Sequence, residues 1–326
     1  MTSDALRAIL ERVPTVPFVS APTAVEPLPR LSTALGRTPH LFIKRDDAIP
    51  FGFGGNKVRK LAFVAARARA EGADTLITAG GIQSNHARAT ASAAAALGMR
   101  AVLVANGPAP VRPTANALLD ALLGADVEYV PGRGDRAAAM EAAAHRLRAS
   151  GHTPFVIPIG ASTPLGALGY VRAMLELLDQ MPAPDVIIHA TSSGGTQAGL
   201  VAAARLLNLR TEIIGVSADD PAEALASAVG SIISGIGDLL GLPRDAITQG
   251  AAIHVDDRFV GDGYGIPTAE SREALELAAR TDAIFLDPTY TAKAMAGLIA
   301  YVRQQRFTDR QTVLFWHTGG QVGLFA

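Results

Sequence analysis

One pattern dominates this chain: short apolar runs alternate with longer, alanine-rich stretches of helical periodicity. Four of those stretches stop at Gly72, Gly98, Gly124 and Gly151, the residue type that best closes a helix in a left-handed conformation. The spacing predicts strands over 40–44, 74–78, 100–105, 126–130, 154–157, 185–190, 211–217, 283–286 and 312–316. Strand–helix–strand at this interval implies parallel sheets with helices on both faces. At 326 residues the chain is long enough for two domains, each with its own core. The predicted class is therefore α/β: two three-layer domains with mostly parallel twisted sheets. Right-handed crossovers place the loops that leave the strands along one edge of each sheet, and chemistry is expected there.

Composition closes off several functions. With 49% hydrophobic residues the chain is no disordered polymer. Lys plus Arg number 29 against 30 Asp plus Glu, and no basic stripe carries interleaved aromatics, so no nucleic-acid partner is expected. No run of about 18 uncharged apolar residues exists, so no membrane partner is expected. The start, MTSDALRAILERV, lacks the layout of a signal peptide, and a cytoplasmic location is expected. The absence of cysteine excludes disulfides, thiolate zinc sites and cysteine nucleophiles. The seven histidines are scattered without an H-x-x-x-H pair, so no metal is expected. Only four lysines occur, Lys44, Lys57, Lys60 and Lys293, which limits any chemistry that needs an amine.

Three glycine- or hydroxyl-rich loops stand where the alternation predicts strand ends. In 52–60, GFGGNKVRK, Asn56 is the expected N-cap, and Lys57 falls in the first helical turn beside Arg59 and Lys60. Nearby positive charge favours the neutral amine that imine chemistry requires. The same spacing also reads as a solvated basic turn. It is not a Walker loop, because Val58 follows the lysine. In 79–85, AGGIQSN, the residues Ser84 and Asn85, followed by His86, gather at a helix N-terminus suited to a carboxylate. One cap would need fewer polar side chains. In 191–199, TSSGGTQAG, a strand, a hydroxyl-rich turn and a helix make a layout for one phosphate, whereas a dinucleotide fingerprint is missing. Later loops, GDGYG, LDPTYTA and FWHTGG, add Tyr264 and Tyr290, each of which also reads as a packing residue. An imine-forming lysine, a phosphate cradle and a carboxylate site together suggest pyridoxal 5′-phosphate.

The segments IKRDD, GGNKVRKL, GGIQSNHAR, SSGGTQAGL, DPTYTAKAMAGL and HTGG follow one another in order from about Pro27 to the C-terminus. In this the chain resembles the 1-aminocyclopropane-1-carboxylate (ACC) deaminase / D-cysteine desulfhydrase family. The resemblance implies a tryptophan-synthase-β-like fold, fold type II, with pyridoxal phosphate as cofactor. It implies a large domain of residues 1–54 plus 164–326, a smaller inserted domain of 55–163, and a homodimer. It makes Lys57 the Schiff-base lysine, Ser84 the catalytic serine facing substrate, and Asn85 the partner of the cofactor's phenolic oxygen. Ser192, Ser193, Gly194, Gly195 and Thr196 become the phosphate loop, Tyr264 and Tyr290 the active-site tyrosines, and Ser84, Asn85 and His86 the substrate-binding group. Members resembling ACC deaminase carry a glutamate and a leucine where this chain has Thr291 and Thr318, and both departures match the desulfhydrase branch. Both threonines are accordingly expected beside the cofactor ring. The expected activity is β-elimination from a small amino acid, D-cysteine giving pyruvate, ammonia and hydrogen sulfide, with Lys57 or Ser84 taking the α-proton. ACC deaminase, lyases acting on L-cysteate or other β-substituted alanines, and an amino-acid racemase are the alternatives.

Overall fold

A computed structural model describes residues 1–36 and 39–326. Its strands are β1 (Val25–Pro27), β2 (His40–Arg45), β3 (Thr75–Gly81), β4 (Arg100–Asn106), β5 (Asp126–Val130), β6 (Pro154–Val156), β7 (Val186–Thr191), β8 (Glu212–Ser217), β9 (His254–Asp256) and β10 (Thr312–His317). They form a six-stranded sheet in the order β1-β2-β10-β7-β8-β9 and a four-stranded sheet in the order β5-β4-β3-β6. Every pairing is parallel except β1 with β2. The central strands β3 and β7 are almost wholly buried, as continuous apolar runs covered by helices on both faces should be. The four glycines that end the alanine-rich stretches all have positive φ.

The predicted strand at 283–286 does not form. Ala283 is the left-handed cap of the helix Ala269–Asp282, and the segment finds no strand to pair with. Ile284 and Leu286 are buried while Phe285 between them is exposed, so the alternation is real but serves a connector between helices. β1 and β9, three residues each, are too short to leave a periodic signal.

Helix Ala222–Leu240 is long and apolar enough, by length and composition alone, to cross a membrane. It carries Glu223 and Asp238 and packs against helices Pro164–Gln180 and Gly195–Leu206.

A buried ionic network locks helix Asn56–Ala70 to the larger sheet. The Asp46 carboxylate accepts hydrogen bonds from Arg59 Nη2 (2.7 Å) and Nε (2.9 Å), Tyr170 Oη (2.6 Å), Trp316 Nε1 (2.8 Å) and Thr23 Oγ1 (3.0 Å). Glu176 binds the other side of Arg59 at 2.8 Å and Lys44 at 2.6 Å. Two acids thus face two bases, so the group is neutral as a whole. Burial works to raise the Asp46 pKa, but the charge and hydrogen bonds of Arg59, with those of Tyr170 and Trp316, hold it below the ordinary carboxylate value.

Candidate active site

The C-terminal ends of β3 and β4 from one sheet, and of β7, β8 and β10 from the other, open onto one cleft. This is where parallel α/β sheets place their ligand sites. Lys57, Ser84, Asn85, His86, Ser192, Ser193, Gly194, Thr196, Tyr264, Tyr290 and Thr318 all line it. Residues separated by up to 261 positions (318 − 57) therefore share one wall.

Lys57 stands in the first turn of helix Asn56–Ala70, as expected, but Asn56 is not its cap. Gly55 is, with φ 95°, and a Cβ there would lie 2.9 Å from the Thr318 carbonyl oxygen. Because the helix begins one residue earlier than the cap preference suggests, the Asn56 amide is released to donate to Thr196 Oγ1 at 2.9 Å. The Lys57 amine is pushed down to about 8, and the cause is burial. Of the two neighbouring charges invoked from sequence, Arg59 turns away into the Asp46 network, and burial alone accounts for the Lys57 shift. Lys60, one turn on, is held well below its ordinary pKa by burial and by the charge of Lys57.

Ser84 is both cap and wall. Its Oγ accepts from Ala87 N–H (3.2 Å) at the start of helix Asn85–Ala96, and the residue also lines the cleft. Asn85 Oδ1 accepts from Asn116 Nδ2 (2.9 Å), and Asn116 Oδ1 in turn accepts from Arg88 Nη1 (3.0 Å). This chain of bonds fixes the Asn85 amide with its Nδ2 as the donor left for a ligand. His86 is engaged elsewhere: its Nε2 lies 2.8 Å from Thr78 Oγ1, and burial with the charges of Lys57 and Lys60 keeps it well below its ordinary pKa. It lines the cleft as a neutral ring already engaged by Thr78.

The 191–196 turn fits a phosphate. Thr191 Oγ1 is buried with no hydrogen-bond partner, an orphan that a bound oxyanion would satisfy. Ser193 Oγ lies 2.7 Å from Ser162 Oγ, which also accepts from Lys60 Nζ (3.0 Å). Gly195 does not line the cleft: its N–H donates to Ser193 O (3.0 Å) and Ser162 Oγ (3.2 Å). A Cβ there would sit 2.7 Å from Ser162 Oγ and 2.8 Å from Lys60 Nζ, so glycine is needed for close packing beneath the loop. Lys60 and Ser162 were not singled out from the sequence. The i, i+3 spacing of Lys57 and Lys60 on one helix was the available signal, since it puts both amines on the same side.

Thr291 departs from expectation. It is buried, and its hydroxyl donates to Asp287 Oδ1 (2.7 Å) and accepts from Asp287 N–H (2.8 Å). Asp287 also accepts from the N–H groups of Thr289 (2.9 Å) and Tyr290 (2.8 Å), so the DPTYT segment is a self-satisfied start to helix Thr291–Arg303. Thr291 faces that turn and not the cleft; Thr318 does line the cleft. The Tyr264 and Tyr290 hydroxyls hydrogen-bond to each other, their rings edge-on with centroids 5.7 Å apart. Burial raises both pKa values, so both hydroxyls stay protonated at neutral pH.

Three charged residues complete the rim: Arg133, Arg136 and Asp219. Asp219 takes hydrogen bonds from Arg133 Nη2 and Ser192 Oγ, both at 3.3 Å. Nothing in their local sequence pattern connects them.

Comparison with known proteins follows the same line. The family description "Pyridoxal-phosphate dependent enzyme" matches residues 17–319. A solved structure of an "ACC deaminase homologue" is 33% identical, with TM-score 0.90, covering 98% of this chain and 96% of its own. The processed form of threonine deaminase isoform 2 from Solanum lycopersicum is 20% identical, with TM-score 0.70 over 98% of this chain and 90% of its own. A serine racemase from Dictyostelium discoideum is 18% identical, with TM-score 0.66 over 98% of both chains. The last two share the fold.

Proposed function

The chain belongs to the pyridoxal-phosphate-dependent enzymes, has their fold type II and uses that cofactor; from this premise we propose that it is a β-eliminating lyase converting D-cysteine and water to pyruvate, ammonia and hydrogen sulfide. The observation that carries the reading is the state of the acids around the cleft. Among the described lining residues the one carboxylate is Asp219, already engaged by Arg133 and Ser192. Thr318 brings only a hydroxyl. With no acid to hold the cofactor's ring nitrogen protonated, the site suits a good leaving group better than the opening of a carbon ring. The Thr291 half of the sequence argument lends no direct support, because that residue faces Asp287.

When bound, pyridoxal phosphate stores the electron pair released at the substrate's α-carbon. Lys57 holds the cofactor and offers Nζ to accept the α-proton, with Ser84 as the other candidate. The 191–196 turn holds the phosphate, with Lys60 and Ser162 beneath it. Asn85 Nδ2, left free by the Asn116 bond, would donate to the phenolic oxygen, and the start of helix Asn85–Ala96 would receive the substrate's carboxylate. The paired Tyr264 and Tyr290 hydroxyls close one wall and can pass a proton to departing sulfur. A homodimer belongs to the same reading and rests on the family resemblance.

Steady-state assays for 2-oxo acid and ammonia release, with sulfide followed for D-cysteine, test the proposal. D-Cysteine should be turned over and ACC at least about 100-fold more slowly, a barrier difference near 3 kcal/mol. ACC turnover equal to that of D-cysteine would replace the reading by deamination, and L-cysteine formed without pyruvate would replace it by racemisation.

The depressed Lys57 pKa has its own consequence. Only the neutral amine attacks the cofactor's aldehyde, and an amine with a pKa of about 8 becomes neutral as pH rises through that value. Reconstitution of cofactor-stripped protein, followed by visible absorbance, should accelerate up to about pH 8 and level off above it. A rate still climbing toward pH 10 would mean an exposed, ordinary lysine.

A further inference from the structure

Arg136 is the first residue of helix Arg136–Ala149 and lines the same cleft. It is 7% exposed, yet its one hydrogen bond is from Nε to the Arg133 carbonyl oxygen at 3.3 Å, and it makes no ion pair among the described residues. Its neighbour Arg133 differs: it is more than half exposed and bonded to Asp219. Asp219 also accepts from Ser192, so its nearby charge is shared and Arg136 is left facing it, Tyr264 and Tyr290 without a carboxylate contact. A buried guanidinium is costly unless an anion meets it, and its planar fork suits carboxylate and sulfonate oxygens. The start of helix Asn85–Ala96, where the reading above puts the substrate's α-carboxylate, is a separate part of the wall. The α-carboxylate is thereby accounted for, and Arg136 calls for a second negative charge.

We infer that Arg136 is a specificity residue for amino acids whose β-substituent carries its own negative charge, with a β-sulfonate as the fitting case. This rests on the lyase reading above and names the substrate class of that site. For cysteate the balance is cysteate plus water giving pyruvate, ammonium and hydrogen sulfite. The α-carbon–hydrogen and β-carbon–sulfur bonds break, the C–S pair leaves on sulfur, and water then cleaves the carbon–nitrogen bond. No external oxidant or reductant enters. Arg136 meets the sulfonate oxygens both on binding and as charge accumulates on the departing sulfite.

The test compares cysteate (both enantiomers) with D-cysteine in the wild type, Arg136→Met and Arg136→Lys, all loaded with cofactor. Arg136→Met should lower kcat/KM for cysteate roughly 10- to 100-fold more than for D-cysteine, the scale of one hydrogen-bonded charge, with the loss mainly in KM. Arg136→Lys should recover part of that selectivity. Equal losses on both substrates would overturn the inference, because Arg136 would then serve the α-carboxylate or the fold; so would no loss on cysteate. Calorimetric binding of 3-sulfopropanoate, a non-reacting dianion, keeps the two proposals separable. If neither amino acid is turned over, the lyase reading fails, while sulfopropanoate binding that weakens in Arg136→Met still supports the anion site. Binding unchanged in Arg136→Met overturns it.

Discussion

Lys57→Ala is expected to lower kcat for D-cysteine by about a thousandfold, within the range for loss of a positioned proton-transfer group. The structure explains why no other lysine can take over. Lys44 Nζ is held by Thr23 O (2.7 Å), Glu176 (2.6 Å) and Gln180 (2.6 Å). Lys293 Nζ donates to Val260 O (2.7 Å), Gly263 O (2.8 Å) and Ala218 O (3.2 Å). Lys60 is tied to Gly160 O (3.2 Å) and Ser162. Lys57 alone among the four makes no hydrogen bond in the described structure, and it faces the cleft. Borohydride reduction of the loaded wild type, followed by peptide mapping, should put the pyridoxyl label on Lys57. A label on Lys44, Lys60 or Lys293 would contradict the assignment, as would Lys57→Ala retaining a tenth of wild-type kcat.

Asp46→Ala should be the most destabilising single change, by about 3–5 kcal/mol, because it removes the fully buried one of the two carboxylates on Arg59 and leaves Tyr170 and Trp316 without their acceptor. The effect should appear as a large fall in the urea midpoint of the cofactor-stripped protein. Asp46 is also a stability group with a definite sign in pH. Its pKa is lower folded than unfolded, so its contribution is present above the ordinary carboxylate range and fades as pH falls toward the depressed value. The difference in stability between wild type and Asp46→Ala should therefore shrink on acidification. An unfolding free energy within about 1 kcal/mol of wild type would show that the network is dispensable. Since Arg59 lies two residues beyond Lys57, the same variant should also loosen the first turn that aims the amine.

The cleft was legible to unequal depths. Lys57, Ser84, Asn85 and the 191–196 turn stand beside glycines at strand ends, where local chemistry announces a special backbone. Arg136 and Asp219 carry no such mark: they are ordinary charged residues, one at the start of helix Arg136–Ala149 and one in the turn after β8. Thr291 shows the reverse. Its place in a motif pointed to the ring, but Asp287, four residues earlier, had a stronger local claim on its hydroxyl.

What the sequence determined by itself is whatever depends on near neighbours. The 3.6- and 2-residue periods, the glycine stops and the strand–turn–helix loops follow from interactions within about one turn of chain, and they were enough to give two parallel sheets, a lysine in a first turn and a phosphate-sized cradle. Tertiary structure decided what depends on dielectric and on distant partners. Lys57 falls to about 8 because the surrounding protein partly strips its amine of solvent, and not because of the basic residues beside it in sequence. Arg59 and Arg136 are equally charged in the sequence; only packing gave one Asp46 and Glu176 and left the other buried without a carboxylate, since long-range pairing depends on which side chains two sheets bring into reach.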